Sequence, residues 1–289
     1  MSNTILTPEV IAREALMVLR NNAVMAKLVH RDYSDEFVAG KGDTISIRKP
    51  ATFVANEFTG EIELQDAQEA SVPVKMDKLL DVSFAVTSKE LSLDIADFSQ
   101  QFLVPAMQAF ADKVDKYLIA LEAGATNRVP HASGEVGIAD VLAVRKMLSD
   151  NAAPLADRRF VCGTTVESEL LANEQLVSAE KVGDAGTALR EASLGRKYGM
   201  DIYADQNIVK SGDYTPAIAF HKNAMALVTR PMALPQGAAK SATVNYDGFA
   251  LRVVYGYDIT TKKDMVSIDM LCGVAMLDDN LIAVLSDNR

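Results

Sequence analysis

Tryptophan is absent from the chain, aromatic residues make up only 6%, histidine occurs three times and cysteine twice. A core with so few rings has to be aliphatic, and the 12 methionines supply flexible filling for its gaps. Cys162 and Cys272 lie far apart, with no C-x-x-C spacing and no histidine cluster nearby, which argues against a disulfide framework or a zinc site. Both fall in apolar runs, so buried free thiols in a reducing cytoplasm are expected. Basic residues are also scarce: 29 Lys and Arg against 39 Asp and Glu give a formal charge of -10. Tight binding to nucleic acid needs clustered cations that release counterions from phosphates, so this balance disfavours it; moderate acidity also simply aids solubility. No apolar run is long enough to span a bilayer, and the N-terminus has no basic-then-apolar signal pattern. A soluble protein with no membrane partner is expected.

The motifs of common enzymes are missing as well: no G-x-G-x-x-G, P-loop, H-E-x-x-H or G-x-S-x-G. His30 opens a His-Arg-Asp-Tyr run that superficially matches a kinase catalytic loop, but the glycine-rich loop and Asp-Phe-Gly are lacking. His131 lies in a Pro/Gly/Ser stretch and is expected to be solvated, whereas His221 follows an apolar run and is expected to cap a turn. Asp278-Asp279-Asn280 lacks the alternating ligands, central glycine and terminal glutamate of a calcium loop, so a solvated turn is expected. Asp112 and Asp115 sit one helical turn apart among lysines and read as surface pairing. Cys162-Gly163-Thr164 would be a nucleophile elbow only with a base that the sequence does not place, so it reads as a packed thiol. No catalytic residue, cofactor or metal ligand is assigned, and the chain is not expected to be an enzyme.

The 289 residues, 49% hydrophobic and 24% charged, suffice for one large domain or two smaller ones. Thr7 and Pro8 make a helix start, and Val10, Ile11, Ala15, Leu16 and Leu19 follow at helical spacing. A second apolar piece runs through Val24, Leu28 and Val29. This arm has no core of its own and must pack on something else. Gly40 to Asp43 reads as a turn, and Thr44 to Arg48 as a strand with Ile45 and Ile47 on one face. Strand character returns at Val72 and Val74, and again at Val82, Phe84 and Val86. The stretch between is acidic, with Glu57, Glu61, Glu63, Asp66 and Glu69. The whole reads as a hairpin of roughly 30 residues that cannot bury a face in its own domain and so docks on a partner. Thr87-Ser88-Lys89-Glu90 matches a capping box ahead of a helix of roughly 35 residues, about 50 Å long, with Pro105 kinking it and Gly124 ending it. Its outer face carries Asp112, Lys113, Asp115 and Lys116.

Further on, helices are expected at Ile138 to Leu148, after Thr164, near Ala188 to Ser193 and at Lys222 to Val228. Strands are expected at Arg159 to Cys162, Met200 to Tyr203 and Ile218 to Phe220, giving an α/β unit of about 100 residues. The last 50 residues are β-rich: Leu251 to Asp258, Val266 to Val274, and Leu281 to Leu285 closing the sheet. The order is arm, long hairpin, spine helix, α/β insertion and returning strands. It resembles the capsid fold of tailed bacteriophages, the Hong Kong 97 type. Residues 22 to 50 resemble the N-terminal arm and start of the extended loop in the coat-protein family of the short-tailed Salmonella phage. Phe98 to Leu118 resembles that family's spine helix, proline included. Phe220 to Pro231 is similar to its late axial segment, and Gly248 to Leu285 to its closing peripheral strands. The resemblance covers nearly the whole chain but leaves no room for that family's insertion domain.

The resemblance implies an α+β fold with an N-terminal arm (1–38), an extended loop (39–76), a peripheral domain with the spine helix (77–132 and 236–289) and an α/β axial domain (133–235). It implies a structural major capsid protein, self-assembling as pentamers and hexamers into an icosahedral shell that encloses double-stranded DNA without binding it specifically. The implied partners are other copies of the chain, a separate scaffolding protein and a portal. The implied location is the virion, after assembly and procapsid maturation in the bacterial cytoplasm. For assembly contacts, the acids Glu61, Glu63, Asp66 and Glu69 are matched against the bases Lys113, Lys116, Lys262 and Lys263 of a neighbour. An encapsulin-like compartment shell and a small-molecule enzyme on the α/β unit are the alternatives.

Overall fold

The computed structural model describes residues 8–31, 44–48, 55, 57, 71–87, 102–131, 136–178, 191–208, 216–237, 240–246 and 249–287. In chain order the elements are α1 (Pro8–Asn22), α2 (Met25–Leu28), β1 (Thr44–Arg48), β2 (Ser71–Lys75), β3 (Lys78–Thr87), α3 (Val104–Ile119) and β4 (Arg128–His131). Next come α4 (Ile138–Asp150), β5 (Arg158–Cys162), α5 (Thr164–Ala172), α6 (Glu174–Val177), β6 (Arg196–Lys197), β7 (Met200–Ala204) and β8 (Ala217–His221). The chain closes with β9 (Met225–Arg230), β10 (Lys240–Tyr246), β11 (Phe249–Asp258), β12 (Lys263–Met276) and β13 (Ile282–Asp287). The mixture is α+β, as expected.

Two larger sheets organise the molecule. One is antiparallel, in the order β10-β11-β12-β3, with β9 also pairing to β12. The inward side chains of β11 and β12, Leu251, Val253, Val266, Ile268 and Met270, meet Met107, Phe110, Val114 and Leu118 of α3. Ile11, Leu16 and Leu19 of α1 join the same core. Burying those three is worth roughly 5–9 kcal/mol. Packing of this kind, rather than intrinsic propensity, holds a 15-residue helix in place. The other sheet is mixed, ordered β4-β13-β8-β5-β7-β6. It draws strands from 128–131 and 282–287 as well as from the segment between. Its strands alternate between two cores: Val161, Ile218, Phe220 and Val284 face the helix core above, while Phe160, Ala219, Ala283 and Leu285 face α4 and α5.

The hairpin base is the ladder of β1 against β2, from Thr44 opposite Lys75 to Arg48 opposite Ser71. Contrary to expectation, this base does bury a face in its own molecule: Ile45, Ile47 and Val74 pack on Ala226, Val228 and Leu277. Gly273 makes the approach possible, since a Cβ there would lie 2.5 Å from the Lys75 carbonyl oxygen.

Other expectations also change. Thr87 ends β3, opposite Lys263, and the rest of the expected capping box lies outside the described residues. Pro105 comes directly after Val104 and a π-helical pair at 102–103, and the course of the chain before that pair lies outside the described residues. Pro105 stands in the first turn of α3, where its missing N–H costs nothing. The described helix spans 16 residues, about 24 Å, followed by a 3-10 turn to Gly124; residues 88–101 lie outside the described residues. Phe102 stacks on Phe84 at 5.2 Å and ties the start of this helix to β3. Lys222 to Val228 is not helical: a 3-10 turn at Lys222–Ala224 leads into β9. A strand buried on both faces has the same continuous apolar run as a buried helix. Leu281 to Leu285 joins the six-stranded sheet between β4 and β8 rather than closing the other one. The helix expected near Ala188 falls largely outside the described residues.

Candidate assembly surfaces

Lys113 and Lys116 lie on the exposed side of α3. Lys113 places its Nζ 5.3 Å from the Tyr117 ring, and Lys78 of β3 reaches the same ring at 5.7 Å. Two cations over one ring mark a local basic spot at the start of β3. Lys262 and Lys263 lie elsewhere, on the tip joining β11 to β12. There Asp258 holds the turn by accepting the Thr260 N–H at 2.9 Å and the Thr261 hydroxyl at 2.6 Å. Lys262 has a positive φ of 53°, and Tyr257 (51% exposed) and Ile259 (79% exposed) flank the tip.

The two basic spots are not brought together. Lys78 pairs with Cys272 and Thr87 with Lys263, so they stand at opposite ends of the β3–β12 ladder. Nine residues of strand separate them, roughly 30 Å. The acids Glu61, Glu63, Asp66 and Glu69 lie outside the described residues, while Glu57 is exposed.

Lys263 belongs to a larger surface. On the face of the five-stranded sheet opposite α1 and α3, the hairpin base covers the β9 end, over Ala226, Val228 and Gly273, while the stretch across β11, β12 and β3 is covered by no described helix or strand. Its rows across β11, β12 and β3 are Arg252-Asp269-Asp81, Val254-Ser267-Ser83, Gly256-Met265-Ala85 and Asp258-Lys263-Thr87. The small side chains of the middle rows leave a shallow apolar groove of about 350 Å³, which Met265, itself 46% exposed, helps to line. At one end the Arg252 guanidinium clamps Asp269, with Nη2 2.6 Å from Oδ2 and Nε 3.0 Å from both oxygens. Asp81 accepts the hydroxyls of Ser267 at 2.8 Å and Ser83 at 3.0 Å.

Several polar residues were misplaced or unmarked by sequence reasoning. Asp115 is not on the surface: it is buried, and its carboxylate accepts the backbone N–H of Val24 and Ala26. His131 is not solvated: it is buried in β4, with Nδ1 3.4 Å from Asp140. Asp279 is not merely in a solvated turn, since it accepts the Thr126 N–H at 3.0 Å and the Thr126 hydroxyl. Arg158 is buried and donates to the carbonyls of Ala153 and Pro154 and to the Ser149 hydroxyl. His221 does cap a turn, accepting the Asn223 N–H at 3.2 Å. Both cysteines are free and buried, and burial pushes each thiol up to about 12, far from a nucleophile's range. Among the described residues no helix is long and apolar enough to cross a membrane.

No protein-family model matches the chain, and no curated protein matches it in sequence. Solved structures do match. A chain from Mycobacterium phage Che8 superposes with a TM-score of 0.70 at 18% identity, covering 91% of each chain. The capsid structure of Cyanophage P-SCSP1u gives 0.60 at 14% identity, covering 92% of this chain and 88% of that one. The virus-like particle from Pyrococcus furiosus gives 0.55 at 13% identity, covering 96% and 98%. At such identities the match is one of architecture, and that architecture is the Hong Kong 97-type fold.

Proposed function

We propose that the chain is a shell-forming major capsid protein of a tailed bacteriophage, assembling as pentamers and hexamers around double-stranded DNA. The observation that carries this reading is the match of the whole architecture to a phage capsid structure, over 92% of the chain. Its peripheral part is built on the five-stranded sheet and α3, and its axial part on the six-stranded sheet. Nearer kinship with the Salmonella-phage coat, without its insertion domain, belongs to the same proposal, as do a separate scaffolding protein and a portal. A net charge of -10 suits a wall that encloses DNA without gripping it.

The contact between copies follows from charge. The acids at 61–69 of one copy dock on the neighbour's open sheet face, where Lys262 and Lys263 edge the apolar groove. This end is preferred to Lys113 and Lys116 because Lys113 is already engaged with Tyr117. Repetition by symmetry turns modest contacts into a strong shell. Reversing Lys262 and Lys263 to Glu is expected to stop particle formation, and reversing Glu61 and Glu63 to Lys in the same chain to restore it. Normal particles from the first variant would overturn the contact.

A second reading keeps the shell and changes its contents: an encapsulin-like compartment around an enzyme. The match to the virus-like particle from Pyrococcus furiosus, which spans 98% of that chain, favours it. Purified particles carrying double-stranded DNA support the phage reading, and particles carrying one protein cargo and no DNA support the second.

A further inference from the structure

The Asp115 carboxylate sits where three parts of the molecule meet. It is 1% exposed, on the side of α3 turned to the N-terminal arm. Oδ2 accepts the N–H of Val24 at 2.7 Å and Oδ1 that of Ala26 at 3.0 Å, at the joint between α1 and α2. The chain just beyond is fixed to both sheets, through β5 and through β9. Arg159 of β5 donates to the Leu28 carbonyl. The His30 N–H donates to the Met225 carbonyl at 3.0 Å, and the Leu227 N–H to the His30 carbonyl at 2.9 Å.

A second buried acid lies close enough for its charge to act on the first. Asp205, in the turn after β7, is 3% exposed. Its Oδ1 accepts the Asn207 N–H at 2.8 Å, while Oδ2 has no hydrogen-bond partner among the described residues. The other charged groups around the pair are few. Asp112 and Lys116 come from exposed positions of α3, and Asp112 accepts Asn207 Nδ2 at 3.5 Å. Lys27 of α2 is exposed, and Arg159 of β5 is turned to Leu28. Neither buried acid forms an ion pair among the described residues.

We infer that Asp115 and Asp205 form a proton-operated latch on the N-terminal arm: residues 23–31 seat on α3, β5 and β9 as the pair takes up a proton. Two buried acids whose charges act on each other, with no buried cation between them, are costly to ionise together. Burial pushes Asp115 up to about 6; the backbone donors at Val24 and Ala26 pull it down, and the Asp205 charge raises it further. Asp205 is raised too, chiefly by burial. The seated value lies above the ordinary 3.8, so the seating benefit is full below that value and is lost as pH rises through about 6. With those limits, seating is about tenfold more favourable at pH 5 than at pH 7.

The inference concerns the subunit itself and does not rest on the shell reading. It is tested by residue-resolved hydrogen exchange of the full chain, following the Val24 and Ala26 amides from pH 5 to pH 7. Each rate is corrected for intrinsic exchange and referred to amides of α4. Protection of the two amides is expected to be about tenfold higher at pH 5. Asp115→Asn, which keeps an acceptor oxygen and has no charge to titrate, is expected to flatten the dependence. Asp205→Asn is expected to move the midpoint to lower pH. A flat wild-type profile overturns the latch, as does a wild-type slope in Asp115→Asn. If Asp115→Asn does not fold, an unchanged midpoint in Asp205→Asn overturns it equally.

Discussion

The two main sheets solve opposite problems. The six-stranded sheet is covered on both faces, so β8 is buried at every position and Phe160 and Phe220 fill cores on opposite sides of it. The five-stranded sheet is covered by helices on one face, and on the other only its β9 end is covered, by the hairpin base. The rest of that second face, across β11, β12 and β3, carries Met265, Leu79, several serines and one clamped charge pair, and no described helix or strand packs on it. Antiparallel sheets tolerate such one-sidedness, and sheets with both faces buried read as continuous apolar runs. The difference separates a region that stabilises the subunit from a region available to join subunits.

Substitutions should respect that division. Phe220→Ala, in the doubly buried sheet, is expected to cost about 3–5 kcal/mol in urea unfolding; a loss under 1 kcal/mol would erase the contrast. Arg252→Ala leaves Asp269 largely buried without its cation and is expected to cost about 3 kcal/mol, whereas Arg252→Ala/Asp269→Ala together should recover part of that loss. Gly273→Ala drives a methyl group into the Lys75 carbonyl, at a cost of about 1–3 kcal/mol. It should also open the hairpin base to limited proteolysis between Thr44 and Lys75. Met265→Asp, on the open face, is expected to change subunit stability by no more than about 0.5 kcal/mol while abolishing particles on electron micrographs. Intact particles from that variant would show that the open face joins nothing.

Local pattern reveals much of this and non-local packing hides the rest. Pro8 at the start of α1, the Ile45 and Ile47 alternation in β1 and the strand–Gly163–helix unit are visible because each depends on neighbours in sequence. β9 is not, because an apolar run buried on two sides has no period to read. Thr87 closes β3 by pairing with Lys263, 176 positions on, a partner that no local spacing reveals. Asp115 sits among Asp112, Lys113 and Lys116 like any surface residue, and only an arm 91 residues away buries it. The charges proposed for assembly are equally visible as letters. The roughly 30 Å between Lys78 and Lys263 follows from strand register, which no spacing in the sequence encodes.

Electron microscopy of the full chain, expressed with and without the proteins encoded beside it, tests the central claim most directly. The account predicts closed icosahedral particles, or pentamers and hexamers on the way to them, with the hairpin of each copy lying on its neighbour's open sheet face. A chain that stays a 31.2 kDa monomer under every condition, and turns over a small molecule, would contradict it.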